Sequence, residues 1–213
     1  MRKTIPILLI GLLPFAGCLL GDRSHVLHLE TDGSVTWIAH ERAVRSDAGA
    51  AADRDREEAG YLDEARAERQ PVARGLAKLG PQSLRATLLR DERPFQVMTE
   101  ARFAALEPLL QGLLDGAGIA GSAKVARDGE ETHLTLTLEA EDKAQELEAD
   151  DDLVGLLADF EQMQFALARG KFVSATGFAI SDDGAVATPL KIEGEATEGA
   201  PLVLSLVWID GER

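Results

Sequence analysis

Apolar residues recur at every second position in two short runs, Val26–Glu30 and Val35–Glu41, with Thr31-Asp32-Gly33-Ser34 between them. Such alternation marks half-buried strands, and Asp-Gly between two alternating runs is a strong hairpin signal. A two-residue turn at Asp32-Gly33 pairs Leu29 with Thr36, His28 with Trp37, Leu27 with Ile38 and Val26 with Ala39. That register sets Leu27, Leu29 and Ile38 on one face and Val26, Val35 and Trp37 on the other. With apolar residues on both faces, the hairpin is expected to be covered on both sides.

The pattern then changes period. Residues 50–68 are rich in Ala, Glu and Arg, with Tyr61 and Leu62 as the bulky apolar content, which predicts a surface helix with a thin contact stripe. Pro71 starts a second helix carrying Val72, Leu76 and Leu79, closed by Gly80-Pro81. Leu84–Leu89 and Phe95–Phe103 read as strands, and Leu106, Leu109, Leu110, Leu113 and Leu114 form a strong helical stripe closed by Gly116. A further hairpin turning at Asp128-Gly129 puts Ala123, Val125, Thr132, Leu134, Leu136 and Leu138 on its core side. Asp150–Asp152 suit the first turn of a helix with Leu153, Leu156, Leu157 and Phe160. The remainder is strand-rich: Met163–Ala168, Lys171–Ile180, Ala185–Lys191 and Leu202–Ile209.

Hairpin and helix thus alternate three times before a run of strands, a coarse ββα-ββα-ββα order. It predicts an α+β fold, a broad antiparallel sheet with its helices on one face. No Ser/Pro-rich linker divides the chain, so residues 25–213 are expected to form one domain, the sole candidate boundary falling at 140–150.

Composition narrows the function classes. The 213 residues are 45% hydrophobic and 28% charged, enough for a buried core without disulfides. A net charge of -15 argues against nucleic-acid binding through phosphate contacts. The single cysteine excludes a disulfide framework, a Cys-rich zinc site and a CxxC redox pair.

That cysteine is informative. Met1-Arg2-Lys3 is followed by an apolar run from Ile5 to Leu13 and then by Pro14-Phe15-Ala16-Gly17-Cys18, the order of a secretory signal peptide. The apolar run ends by Leu20, short of the ~20 residues that span a bilayer. The stretch resembles the lipobox of bacterial lipoproteins, in which cleavage precedes a lipidated cysteine. Ala16 and Gly17 match that pattern, and Phe15 stands where leucine is usual. The resemblance covers residues 1–18 and implies a signal peptide at 1–17, acyl chains on Cys18 and a lipidated tether at 18–24. It also implies an extracytoplasmic, membrane-anchored protein, with Leu19 after the cysteine resembling outer-membrane rather than inner-membrane lipoproteins. Removing Arg2 and Lys3 with the signal peptide leaves a charge near -17, which anionic headgroups repel. The acyl chains are therefore expected to hold the protein to its membrane.

Motifs for chemistry are sparse. Gly116-Ala117-Gly118-Ile119-Ala120-Gly121 spells GxGxxG, but it closes a helix, whereas a dinucleotide loop must open one. His25 and His40 fall opposite each other in the expected register, yet zinc needs further ligands and the chain offers only His28 and His133 besides. They are read as solvated sheet-edge histidines. His40-Glu41 begins an HExxH pattern that Val44 breaks, and the acidic run Glu139–Asp152 lacks a calcium-loop pattern. No catalytic residue, metal or cofactor is assigned. The expectation is a non-enzymatic, lipid-anchored envelope protein that binds or assembles with an envelope protein partner. Its alternative is a carrier for a hydrophobic ligand such as a lipid, with a cavity lined by Leu106, Leu110, Phe165 and Phe172.

Overall fold

A computed structural model of the chain describes residues 19–139, 149–191 and 200–211. Strands β1 (Leu19–Leu29) and β2 (Val35–Ser46) form the first hairpin, followed by helices α1 (Ala51–Arg66) and α2 (Pro71–Lys78). Strands β3 (Ser83–Arg90) and β4 (Phe95–Phe103) form the second hairpin, and helix α3 (Leu106–Gly116) leads to the third, β5 (Gly121–Asp128) and β6 (Glu131–Leu138). Helix α4 (Asp151–Ala158) precedes β7 (Met163–Leu167), β8 (Lys171–Thr176), β9 (Phe178–Ile180), β10 (Val186–Pro189) and β11 (Leu202–Ile209).

The α+β class and the broad sheet are as the pattern predicts. Seven strands run in the order β3-β4-β2-β1-β7-β10-β9. Every neighbouring pair in this sheet is antiparallel except β1 and β7, which are parallel. The third hairpin belongs instead to a second, four-stranded sheet, β5-β6-β11-β8. One of its two inner strands, β11, pairs with β6 on one side and β8 on the other. The run read as one strand over Lys171–Ile180 divides at Gly177, so that β8 serves the second sheet and β9 the first.

The first hairpin departs from the expected register by one residue. Its loop is Thr31-Asp32-Gly33, closed by Glu30 N–H to Ser34 O at 2.9 Å and Gly33 N–H to Glu30 O at 3.0 Å. Within this loop only Gly33 has positive φ, at 82°, the arrangement of a type I turn followed by a left-handed residue. The Asp32 carboxylate stabilises it by accepting from the Ser34 N–H at 2.9 Å and hydroxyl at 2.6 Å. Leu29 therefore pairs with Val35, Leu27 with Trp37, Val26 with Ile38 and His25 with Ala39.

A one-residue slip moves every side chain of one strand to the other face. Here it gathers His25, Leu27, Leu29, Val35, Trp37 and Ala39 on a single buried face and leaves Val26, His28, Thr36 and Ile38 half-buried on the other. Among the described residues the hairpin is thus packed against the core on one side, not on both. In the third hairpin the expected core side holds, but the turn is Gly129-Glu130, with Asp128 paired to Glu131 and positive φ at Gly129.

β1 begins at Leu19, which pairs with Ser46, and Leu20 pairs with Arg45. The stretch expected to be a tether is therefore strand from its second residue onward. Gly21 and Asp22 disfavour strands, which hid it, and a bulge between Leu20 and Asp22 accommodates them.

One core cluster joins Leu27, Trp37 and Phe103 of the first sheet to Leu134, Leu204 and Leu206 of the second through Leu76, Leu109, Leu113 and Leu156 of the helices. Each such fully buried side chain contributes about 1.5–3 kcal/mol. A smaller cluster lies under α1, where Tyr61 and Ala65 meet Val44, Phe95 and Val97. Asp150 caps α4 by accepting from the N–H groups of Asp152 and Leu153, as its position predicts.

Candidate functional site

Where the first hairpin's loop approaches the second sheet, the two sheets part and leave an open cleft of about 520 Å³. Its apolar lining comes from Leu29 and Val35 of the hairpin, Leu106 and Pro108 of α3, Val125 of β5 and Trp208 of β11. Cavities of roughly 300–1,000 Å³ with apolar walls and a few polar groups are the usual scale of small-molecule sites. Glu30, Asp32, Glu107, Asp210 and Arg127 supply the charges around it, an acidic balance.

The rim is built by local hydrogen bonds. β5 is an edge strand, and α3 covers it with two side chains one turn apart. Glu107 accepts from the Val125 N–H at 2.7 Å, and Gln111 accepts from the Ala123 N–H at 2.9 Å. Trp208 is almost fully buried and meets Phe172 edge to face at 6.1 Å. Hydrogen bonds from Ser34 and the nearby Arg102 hold the Asp32 carboxyl below its usual range. The Ser34 hydroxyl donates to that carboxylate and accepts from Arg102 at 3.1 Å, so it serves as a strut of the loop.

Of the residues expected to line a carrier's cavity, Leu106 does so. Leu110, Phe165 and Phe172 lie in the packed core instead. Their helical and strand faces point inward, as predicted, but the space between them is filled. The pattern places Val125 on the core side of the third hairpin, but it does not show that Val125 and Trp208 meet at a cleft, because a cleft between two sheets leaves no mark in either strand's own pattern.

The histidines are not shared. His25 is fully buried on the core face, while His40, opposite Ser24, lies on the other face. The solvated sheet-edge reading is thus corrected for both: β1 and β2 are inner strands, with His25 fully buried and His40 half-buried. The Nδ1 of His25 accepts from Trp37 Nε1 at 3.0 Å, and its Nε2 lies 3.3 Å from Asp159 Oδ2. Arg23 sits between Asp159 at 3.6 Å and the buried Glu41 at 3.7 Å. Burial raises the pKa of Asp159, but the hydrogen bond from His25 and the adjacent Arg23 outweigh it and leave the carboxyl below its usual range. Burial pushes Glu41 the other way, above its usual range, against the opposing charge of Arg23.

Among the described residues, no group of three or more His, Cys, Asp or Glu is placed to hold a metal ion. In the acidic run, Asp150 and Asp152 are engaged by Lys78 at 2.6 and 2.8 Å, and Asp152 also by Arg74 at 2.9 Å. Residues 140–148 of that run lie outside the described residues, as does Cys18. Among the described residues, no helix is long and apolar enough to cross a membrane.

No family model matches the chain. No curated protein matches it either. Among solved structures, it is similar to the folded domain of the Mycobacterium tuberculosis LppM protein, determined by NMR. That alignment covers 100% of this chain and 97% of that one, with a TM-score of 0.38 and 13% identity. The Fcho1 mu homology domain of Danio rerio, solved with a bound Eps15 peptide, aligns over 90% of this chain and 78% of its own, with a TM-score of 0.21 and 8% identity.

Proposed function

We propose that the chain is a lipid-anchored protein of the cell envelope that binds an apolar or amphipathic ligand in the cleft between its two sheets, without catalysing a reaction on it. The cleft carries this reading: about 520 Å³ of open space beside an otherwise packed core, walled by Leu29, Val35, Leu106, Val125 and Trp208. Protein assembly alone would need no such space, so the cleft favours binding of a hydrophobic ligand over the assembly reading. The acidic rim suits a ligand whose polar end is neutral or cationic.

Support for the anchor comes from residues 1–18, with Cys18 as the acylated residue and no cofactor or metal required. The destination proposed is the outer membrane, from the Leu19 that follows the cysteine. Native mass spectrometry tests the binding. A secreted form beginning at Leu19, purified without detergent, is expected to carry a reproducible extra mass that organic solvent releases. A bare polypeptide mass, unchanged by incubation with monoacylglycerol or phosphatidylcholine, would contradict it.

A further inference from the structure

The size of the cleft limits what it can hold. An apolar cavity of about 150 Å³ takes up one benzene ring, or about 25 Å³ per carbon atom. On that scale the space of about 520 Å³ between the sheets takes roughly twenty carbons, the content of one acyl chain of about sixteen carbons with a glycerol head. The cleft does not continue into the interior. Trp208 forms part of its wall and is 7% exposed, with Phe172 edge to face against it, and Leu110 and Phe165 belong to the packed core. A second chain has no place beside the first.

The rim carries both signs of charge. Glu30, Asp32, Glu107 and Asp210 line it together with Arg127, and Arg102 reaches Asp32 from β4 at 3.2 Å. Arg127 lies 3.9 Å from Asp210. Glu107 accepts from the Val125 N–H, and neither it nor Glu30 forms an ion pair among the described residues. Just outside, around Ile209, Arg169 and Lys171 stand against Asp128, Glu130 and Glu131. Four carboxylates and two guanidiniums therefore face the mouth, and the surroundings do not reverse that negative balance. A carboxylate head meets Glu30 and Glu107 with no counter-charge between them. An ammonium head meets the Arg127 guanidinium. A polyol head donates to the carboxylates and accepts from the guanidinium, so the mixed rim satisfies it in both roles.

We infer that the ligand of this cleft is a lipid with one acyl chain and an uncharged, hydroxyl-bearing head, the chemistry of a monoacylglycerol. The chain lies against Leu29, Val35, Leu106, Val125 and Trp208, and the head sits at the rim with Glu30, Asp210 and Arg127. The inference rests on the proposed reading of the cleft as a ligand site and adds to it the number of chains and the nature of the head.

The test varies the chains and the head separately. Every described element lies within residues 19–211, so a chain beginning at Leu19 carries the whole described fold without the cysteine. Native mass spectrometry on that chain at neutral pH compares monopalmitoylglycerol, dipalmitoylglycerol, palmitate and hexadecylamine, each delivered from cyclodextrin. A single monopalmitoylglycerol per protein is expected, bound at least ~10-fold more tightly than any of the other three. The double variant Glu30→Gln, Glu107→Gln removes two negative charges from the rim, while the amide at 107 still offers an acceptor to the Val125 N–H. In it the gap between palmitate and monopalmitoylglycerol is expected to narrow at least ~3-fold, with circular dichroism checking the fold. Should the variant not fold, the comparison of the four probes on the parent chain decides alone. Dipalmitoylglycerol bound as tightly as monopalmitoylglycerol would overturn the single chain, and palmitate or hexadecylamine bound as tightly would overturn the head. Either result leaves the cleft a ligand site. Binding of none of the four would overturn the reading of the cleft itself, and the inference with it.

Discussion

The indole Nε1–H of Trp37 donates a 3.0 Å hydrogen bond to Nδ1 of His25, with both side chains fully buried. An indole can only donate, so the lone pair is on Nδ1 and the imidazole's proton is on Nε2, facing Asp159 Oδ2 at 3.3 Å. The three side chains join β1 and β2 to the segment that follows α4, 134 residues further along the chain.

Trp37→Phe keeps an aromatic ring and removes the donor, leaving Nδ1 without a partner in the core. The expected loss is about 1–3 kcal/mol from the unpaired nitrogen, with a further contribution from the space left by the smaller ring. Urea unfolding measures it. A midpoint unchanged from the parent chain would mean that the hydrogen bond does not contribute.

Glu41 gives a pH dependence with a definite sign. Burial holds its folded pKa above the ordinary value of 4.5. A carboxyl raised in this way binds more protons folded than unfolded, so it favours folding as the pH falls and opposes it as the pH rises through that window. Glu41→Gln removes the ionisation. The variant is expected to melt higher than the parent at pH 8, with the advantage gone at pH 4. Calorimetry at both pH values checks this, and a difference independent of pH would contradict it.

The register of the first hairpin depends on Gly33, whose φ of 82° a β-branched residue resists. Gly33→Val is expected to cost about 1–3 kcal/mol, and Gly33→Asn less, because asparagine tolerates the left-handed region. Equal melting temperatures for the two variants would contradict the loop conformation.

That loop also shows where sequence reading stops. The hairpins and helices were legible because turn residues and periodicity are local signals. Asp32-Gly33 announces a turn equally well in a two- or a three-residue loop, and that one residue decides whether Trp37 and His25 face the core. The second sheet was hidden for a different reason. β11 pairs with β6 and β8 through contacts distant in sequence, which its own alternation cannot specify. The cleft inherits this, since Leu29, Leu106, Val125 and Trp208 meet only once both sheets are assembled. Leu110 and Phe165 were legible as inward-facing, but local pattern does not distinguish a filled interior from an open one.

Anchoring is tested at Cys18. Cys18→Ala is expected to move the protein out of the membrane fraction, since two or more acyl chains give stable attachment and no membrane-crossing helix stands among the described residues. Immunoblots of fractionated cells show the outcome. A variant that stays in the membrane pellet after a high-salt wash would contradict the anchor.

The central claim, that the cleft holds an apolar ligand, is tested most directly by filling it. Val125→Trp projects a large ring between Leu106 and Trp208, while the backbone N–H of residue 125 keeps its bond to Glu107. Native mass spectra of the parent and the variant, each beginning at Leu19 and incubated with the same phospholipid, give the fraction of chains carrying ligand. The account predicts a substantial fraction for the parent and at least a tenfold lower affinity for the variant, with melting temperatures within a few degrees. Equal occupancy of the two chains, or none in either, would contradict it.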